Sequence, residues 1–171
     1  HGGGFCMLSS KTHWMIALQF VQRGYLVFNA NYRLAPHHPF PAAVEDVCAA
    51  YAYVARHAVD HGGDPSRLVL AGESAGANLV TALMVASSYP RPEPWARTVY
   101  DCPVRPRVAL PACGILQVTD VERLRRRRPL SELLFDRIVS VPQAYLARAR
   151  RDGPGGLDLA DPLCVLEREA P

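Results

Sequence analysis

The sequence predicts an α/β fold in which a mostly parallel sheet has helices on both faces. Short apolar runs of strand length alternate along the chain with stretches whose apolar residues recur at helical spacing. This alternation favours parallel strands joined by right-handed crossovers. In addition, a turn at Gly72–Gly76, called the serine turn after Ser74, directly follows the apolar run Leu68–Ala71. It leads into a stretch that is apolar nearly all round, which is typical of a buried central helix.

The first elements follow from apolar spacing and from glycine and proline positions. A helix is predicted over residues 12–23, where apolar residues recur at helical spacing and Gly24 has the position of a C-cap. A strand buried on both faces is predicted over Tyr25–Phe28. Residues 29–41 are expected to form a loop, and Pro41 suits the first turn of a second helix.

The middle of the chain contains the most regular part of this pattern. A turn at Gly62–Pro65 leads into the strand Leu68–Ala71, which is followed by the serine turn and the apolar helix. Residues 87–107 are rich in proline and are predicted to lie outside the sheet. The next strand is expected within Val108–Val118, where Pro111 is unfavourable for a central strand.

The last third of the sequence is less regular. Residues 130–151 have mixed helical character interrupted at Pro142, and their apolar side chains either pack in the core or cover a pocket. A glycine-rich turn is expected over residues 152–157, and no pattern is recognised in residues 158–171. Internal repeats and low-complexity linkers are absent from the sequence, so we expect one domain.

Composition restricts the class of protein. The 171 residues are 49% hydrophobic and 20% charged, as in a soluble globular domain, and no apolar run approaches the ~20 residues of a membrane span. The net charge of +3 is small. The basic run Arg123–Arg128 is interpreted as a solvated turn ended by Pro129, with phosphate or an acidic partner as the alternative. It lacks the interleaved aromatic residues of single-strand nucleic-acid binders, so we expect no nucleic-acid partner.

The five cysteines are scattered and form no C-x-x-C motif. A zinc site or a dithiol redox motif is therefore not expected, and most of these cysteines are interpreted as small buried hydrophobic residues. A cytoplasmic location fits this usage.

Residues Gly72–Gly76 have the sequence Gly-Glu-Ser-Ala-Gly, the G-x-S-x-G pattern of a nucleophile elbow. A serine on such a turn is held at strained backbone angles, and side chains two residues away on either side would collide. Gly72 and Gly76 remove those side chains. Ser74 is therefore the candidate nucleophile, and the N–H of Ala75 can point at an oxygen that gains charge during acyl transfer.

A second motif stands at the start of the sequence, where His1 is followed by three glycines. Consecutive glycines let backbone N–H groups approach a ligand closely. In a serine hydrolase this is the HGGG-type oxyanion loop, in which Gly3 and Gly4 would donate from the side opposite Ala75. The alternative interpretation is a flexible tail or a tag remnant.

Together these motifs resemble the hormone-sensitive-lipase-like esterases, a branch of the α/β hydrolases. The resemblance extends over residues 1 to about 85 and includes three separate segments in the same order. They are His1–Gly4, then Tyr32–Pro36 with Pro39–Ala43 and Asp46, then Gly72–Leu79. The fold expected from the resemblance is a partial α/β-hydrolase domain over residues 1–171, with the motifs in 1–90 and a sheet continuation and pocket-covering segment in 91–171.

The resemblance implies carboxylic-ester hydrolysis through an acyl-serine intermediate at Ser74, with a small-molecule ester as substrate and without a metal or organic cofactor. It places Gly3, Gly4 and Ala75 in the oxyanion hole. His1 corresponds to a structural histidine that holds the glycine loop, and Gly72, Gly76 and Asp46 also correspond to supporting residues. The full-length protein of such a family is a candidate homodimer.

The sequence departs from the family pattern in its general base. The six histidines, His1, His13, His37, His38, His57 and His61, all precede Ser74, whereas the family has its acid and then its histidine downstream. Asp161-Pro162-Leu163 is superficially similar to the acid motif but follows the preceding strand too closely. We therefore expect a fragment that lacks the N-terminal cap and whose Asp and His lie beyond residue 171. The alternative is a catalytically silent small-molecule-binding module.

Overall fold

The structure is a computed structural model that describes residues 1–127, 129, 131–147, 149 and 156–169. In that part of the chain seven α-helices and two strands follow one another in the order α1, α2, β1, α3, α4, β2, α5, α6, α7, with three short 3₁₀ helices in the connections. Their bounds are α1 Trp14–Val21, α2 Ala42–His57, β1 Val69–Glu73, α3 Ala75–Ser88, α4 Pro94–Tyr100, β2 Val108–Ala112, α5 Glu122–Arg127, α6 Glu132–Tyr145 and α7 Pro162–Glu169.

The two strands pair in parallel, which confirms the predicted α/β arrangement. Val69 lies opposite Val108, and the register continues to Glu73 opposite Ala112. The second strand is shorter than expected, because the backbone turns at Cys113, whose φ is 51°. Pro111 lies within it, as an edge strand tolerates, since one side of β2 has no neighbour among the described residues.

Helix α3 is the centre of the molecule. Twelve of its fourteen residues are buried, and it contacts both strands as well as α2, α4 and α7. This confirms the prediction of a central helix that is apolar nearly all round. Because its first residue follows Ser74 directly, the serine turn is fixed by the most enclosed element of the described chain.

Helices α2 and α4 complete the core on one side of α3. Helix α2 begins directly after Pro41 and buries Val44, Cys48 and Tyr51, as the sequence predicts. The segment after α3 lies outside the sheet, also as predicted, but it contains α4, whose Ala96 and Val99 are fully buried against α2 and α3.

The prediction of a strand over Tyr25–Phe28 is wrong. Residues 25–34 belong to no helix or strand, and Tyr25 and Leu26 are 49% and 45% exposed. This segment and β1 both line an apolar cavity of about 430 Å³. An apolar run forms a stable strand only when a neighbouring strand satisfies its backbone, and among the described residues β1 and β2 pair only with each other. The preceding helix is confirmed, with Gly24 at φ 83° after α1.

The C-terminal third contains two differences from the sequence prediction. Helix α6 continues through Pro142 and is not interrupted there, and it buries Phe135 and Tyr145, consistent with core packing. Helix α7 was not expected; its signal is Asp161-Pro162, an acidic residue followed by proline at the first helical position. Most of the predicted glycine-rich turn, residues 152–155, lies outside the described residues.

Residues 123–127 of the basic run lie in a helix, α5, where a turn was predicted. None of its residues is buried, and its arginines pair with acidic side chains. Arg123 pairs with Glu167, Arg125 with Glu132 and Arg126 with Asp120. Among the described residues, no helix is both long and apolar enough to cross a bilayer.

Candidate functional site

Ser74 occupies the junction between β1 and α3 in a strained backbone conformation. Its φ of 55° and ψ of −114° lie in a region that non-glycine residues rarely adopt. Its N–H donates to the carbonyl of Ala112 at 2.8 Å, which ties the turn to the end of β2. Within the described part of the chain the Ser74 hydroxyl has no hydrogen-bond partner.

The two flanking glycines are required by close backbone contacts. A Cβ on Gly72 would lie 2.2 Å from the carbonyl oxygen of Gly76. A Cβ on Gly76 would lie 3.0 Å from the carbonyl oxygen of His1. The turn is therefore closed on itself, and it is packed directly against the start of the chain.

The glycine loop, defined here as His1–Phe5, bends sharply beside this turn. Gly3, Gly4 and Phe5 have φ values of 109°, 57° and 63°. The carbonyl of Gly3 accepts from the N–H groups of Cys6 and Met7 at 3.0 and 3.1 Å. No described residue accepts a hydrogen bond from the N–H of Gly3 or Gly4, and the same holds for Ala75 at the start of α3. Three backbone donors are thus free for a ligand.

His1 is held by Tyr32 and packs against the serine turn. The rings of the two residues are stacked, with centroids 4.1 Å apart and an interplanar angle of 9°. The Tyr32 hydroxyl donates to the carbonyl of His1 at 2.7 Å, and the imidazole Nδ1 lies 2.8 Å from the Gly2 carbonyl oxygen. Burial raises the pKa of the Tyr32 phenol, which therefore remains a donor.

Asp46 supports the segment that contains Tyr32. Its carboxylate accepts from the backbone N–H of Arg33 at 2.7 Å and from the Arg33 Nε at 3.0 Å. Hydrogen bonds that the Arg33 guanidinium donates to Asp46 and then to Glu45 raise its pKa. Farther along, the N–H of Ala35 donates to the carbonyl of Phe5 at 2.9 Å. The segment after residue 31 is therefore connected to both ends of the glycine loop.

Two residues near the site were missed by the sequence analysis. The Nε2 atom of His13 accepts from the N–H of Gly2 at 3.1 Å and lies 3.4 Å from Oε2 of Glu73. The same Glu73 oxygen fills the space beside Gly2, where a Cβ would lie 2.1 Å from it. Glu73 could have been identified from the sequence, because it directly precedes Ser74. His13 has no such signal, because nothing local relates it to residue 73.

No described histidine is placed to act as a base on Ser74. All six histidines lie in the described residues, and none hydrogen-bonds the serine hydroxyl. His57, for example, pairs with Asp60 at 3.0 Å. Among the described residues no group of three or more His, Cys, Asp or Glu side chains is arranged to hold a metal ion.

Asp161 has a role in holding loops together. It is buried, and its Oδ1 accepts from the N–H groups of Val118 and Thr119 at 2.6 and 3.1 Å. Its Oδ2 accepts from the Thr119 hydroxyl. The Asp161 carboxylate therefore connects the segment after β2 to the start of α7, and its hydrogen bonds among the described residues are with residues 118 and 119.

Two aromatic residues near the start of the sequence have different environments. Phe5 is buried and stacks on Tyr145, with ring centroids 3.7 Å apart, so it packs in the core. Trp14, at the start of α1, is 57% exposed.

Comparisons with known proteins agree with this architecture. The sequence pattern of a family described as having the alpha/beta hydrolase fold matches residues 1–164. Lipase 2 of Moraxella sp. (strain TA144) is 43% identical over 93 residues, which are 54% of this chain and 21% of that protein. Hormone-sensitive lipase of Mus musculus is 40% identical over 91 residues, 52% of this chain and 12% of the relative.

A solved structure extends the likeness over almost the whole chain. A thermostable carboxylesterase cloned from a metagenomic library superposes with a TM-score of 0.69 and 29% identity. That superposition covers 94% of this chain and 50% of the carboxylesterase. The chain thus spans half of that structure, and about a fifth or less of the two sequence relatives.

Proposed function

Because the chain belongs to the α/β-hydrolase family, we propose that it contains the nucleophile and oxyanion hole of a serine carboxylic-ester hydrolase. The relatives named as a lipase, a hormone-sensitive lipase and a carboxylesterase support this reaction class. The proposed substrate is a small-molecule ester. The proposed domain is a partial α/β-hydrolase domain over residues 1–171, with the reactive groups in residues 1–90.

The observation that supports this function best is the combination of a strained serine with free backbone donors. Ser74 has positive φ at the N-terminus of a buried helix, and its hydroxyl has no partner among the described residues. The N–H groups of Gly3, Gly4 and Ala75 are also without acceptors there. Such donors stabilise the oxygen that becomes negative when a hydroxyl attacks an ester carbonyl, typically by about 3 kcal/mol each.

In the proposed reaction the Ser74 Oγ forms a bond to the ester carbonyl carbon, and its proton passes to a general base. The carbonyl oxygen gains the negative charge and accepts hydrogen bonds from Gly3, Gly4 and Ala75. Collapse of this intermediate breaks the bond to the alcohol oxygen, which takes up a proton, and leaves an acyl-serine that water hydrolyses. His1, Gly72, Gly76 and Asp46 hold the two donor segments in place.

The step that the described residues do not supply is proton removal from Ser74. A serine hydroxyl without a base stays protonated at neutral pH and is a poor nucleophile. Loss of a triad base lowers turnover by roughly a millionfold, although the oxyanion hole and binding keep ~10³–10⁴ over water. We therefore expect the isolated chain to hydrolyse p-nitrophenyl butyrate very slowly.

Because no described histidine hydrogen-bonds Ser74, a second candidate is a binding module that keeps the oxyanion pocket as a carboxylate or ester site. The two candidates differ in whether Ser74 reacts. Fold alone does not decide between them, because one fold serves many functions.

The experiment is capture of the protein from its source cells with a fluorophosphonate probe, followed by intact-mass analysis and peptide mapping. Labelling at Ser74 in a product much heavier than 18.8 kDa supports the esterase. An unlabelled product, detected by antibody, contradicts it and favours the binding module.

Recombinant variants provide the control for this experiment. Ser74→Ala should abolish all specific labelling. Ser88→Ala, at an exposed serine at the end of α3, should leave labelling unchanged.

A further inference from the structure

His13 contacts both halves of the proposed site. Its Nε2 accepts from the N–H of Gly2, in the glycine loop, and lies 3.4 Å from Glu73, the residue before Ser74. The side chain of His13 is 14% exposed, so these are semi-buried contacts. One ring nitrogen is therefore shared between a donor in the glycine loop and an acceptor in the serine turn.

The hydrogen-bond pattern identifies the tautomer of His13. The Thr12 hydroxyl donates its single proton to the carbonyl of Ser9 at 2.7 Å, so towards the His13 Nδ1, 3.0 Å away, it can only accept. Nδ1 consequently holds the ring proton, and Nε2 presents a lone pair to the N–H of Gly2. In this neutral form no proton lies between Nε2 and the Glu73 carboxylate.

Protonation of the His13 ring changes which of the two neighbouring groups can hydrogen-bond to Nε2. An imidazolium has a proton on both nitrogens and accepts no hydrogen bond. Its Nε2–H would face the Gly2 N–H, donor against donor, while the Glu73 carboxylate 3.4 Å away is a suitable acceptor. The two partners of Nε2 therefore exclude each other, and the protonation state of His13 selects between them.

We propose that His13 is a positioning residue: neutral, it holds the glycine loop through Gly2; protonated, it turns to Glu73 and releases the loop. The inference rests on the proposed function only for its catalytic consequence, which is that Gly3 and Gly4 lose their alignment when His13 is charged. The hydrogen-bond switch itself can be tested without any reaction at Ser74.

The charged and titratable neighbours of His13 are few among the described residues. Glu73 faces it from the end of β1, and the His1 ring lies 5.8 Å away, centroid to centroid. The Tyr32 phenol stacks on the His1 ring. Among these groups Glu73 is the one carboxyl, and it faces Nε2 of His13.

The test is an NMR titration of the chain from about pH 8 to about pH 5, which brackets the usual titration of imidazole. We expect His13 to be protonated at Nδ1 and bare at Nε2 at the upper end. The Gly2 amide resonance should move with the same midpoint as the His13 ring.

The matched variants are His13→Gln and His57→Gln. Glutamine at position 13 offers an amide oxygen to Gly2 that does not titrate, so the pH dependence of the Gly2 resonance should vanish while the bond persists. His57 faces Asp60, so its replacement should leave the Gly2 titration unchanged. The proposal would be overturned if Nδ1, and not Nε2, were the unprotonated nitrogen at the upper end of the titration. It would also be overturned if the Gly2 amide resonance did not change with the same midpoint as the His13 ring.

Labelling of Ser74 in the full-length protein separates this inference from the proposed function. With acidification, the wild type should lose roughly tenfold more fluorophosphonate reactivity than His13→Gln, a factor that corresponds to one ordinary hydrogen bond. If the NMR switch is present but Ser74 never labels, the switch stands and the esterase proposal fails. If Ser74 labels but the NMR switch is absent, the inference about His13 fails alone.

Discussion

The hydroxyl of Tyr32 donates to the carbonyl oxygen of His1 at 2.7 Å while its ring is stacked on the His1 imidazole. A second, longer contact of 3.4 Å joins the same hydroxyl to the carbonyl of Gly2. One side chain from residues 29–41 thus fixes the backbone of the glycine loop, while the N–H groups of Gly3 and Gly4 have no acceptor among the described residues.

Replacement of Tyr32 by phenylalanine should lower the free energy of unfolding by about 1 kcal/mol, since the stack is retained and the hydrogen bonds are lost. Urea unfolding at neutral pH measures this change. Tyr53→Phe is the control, because Tyr53 is half exposed and its hydroxyl has no partner among the described residues. Equal effects of the two substitutions would contradict the role given to the Tyr32 hydroxyl.

Gly72→Ala should be far more damaging than alanine at another glycine. The new Cβ would meet the backbone oxygen of Gly76 at 2.2 Å, so the serine turn must shift, at a cost of about 3 kcal/mol. Gly62 is the matched control, with φ of 80° and open space around its Cβ position, where alanine costs about 1 kcal/mol through backbone strain. Denaturation midpoints of the two variants provide the comparison, and similar midpoints would show that the turn can relax.

Asp161→Ala should destabilise the fold by about 3 kcal/mol, because it leaves the buried N–H groups of Val118 and Thr119 without an acceptor. Asp101→Ala, which removes only an exposed pair with Arg97, should cost less than 1 kcal/mol. Chemical denaturation of both variants tests the difference. A mild effect at Asp161 would mean that water replaces the lost carboxylate.

Glu93 should make stability depend on pH in the acidic range. Burial raises the pKa of this carboxyl, and one of its oxygens has no partner among the described residues. Between the unfolded and the higher folded pKa the native state binds more protons, so the free energy of unfolding falls as pH rises through this window. Glutamine does not ionise. The stability of Glu93→Gln relative to wild type should therefore be greater at about pH 7 than at about pH 4, and a difference independent of pH would contradict this assignment.

Much of the fold could be predicted because its strongest signals are local. The apolar helix after Ser74, the start of α2 at Pro41 and the strand before the serine all follow from spacing and from turn residues. The same is true of Gly72 and Gly76, whose need for glycine is a property of the turn itself.

The elements that could not be predicted depend on partners distant in sequence. Tyr25–Phe28 has the composition of a buried strand but lacks a neighbouring strand in the described chain. The contact of His13 with Gly2 and Glu73 joins residues up to 60 positions apart, which no local pattern reports. The continuation of α6 through Pro142 likewise depends on tertiary packing around Phe135 and Tyr145.

The enclosure of α3 has a consequence for how the molecule opens. Amide hydrogens exchange slowly where opening requires global unfolding and faster where a segment can detach by itself. Ser74 and Ala75 belong to the start of the buried helix, whereas Gly3 and Gly4 lie in a loop that is only partly buried. We therefore expect the two sides of the proposed site to open in different cooperative units, with Gly3 and Gly4 exchanging faster than Ala75.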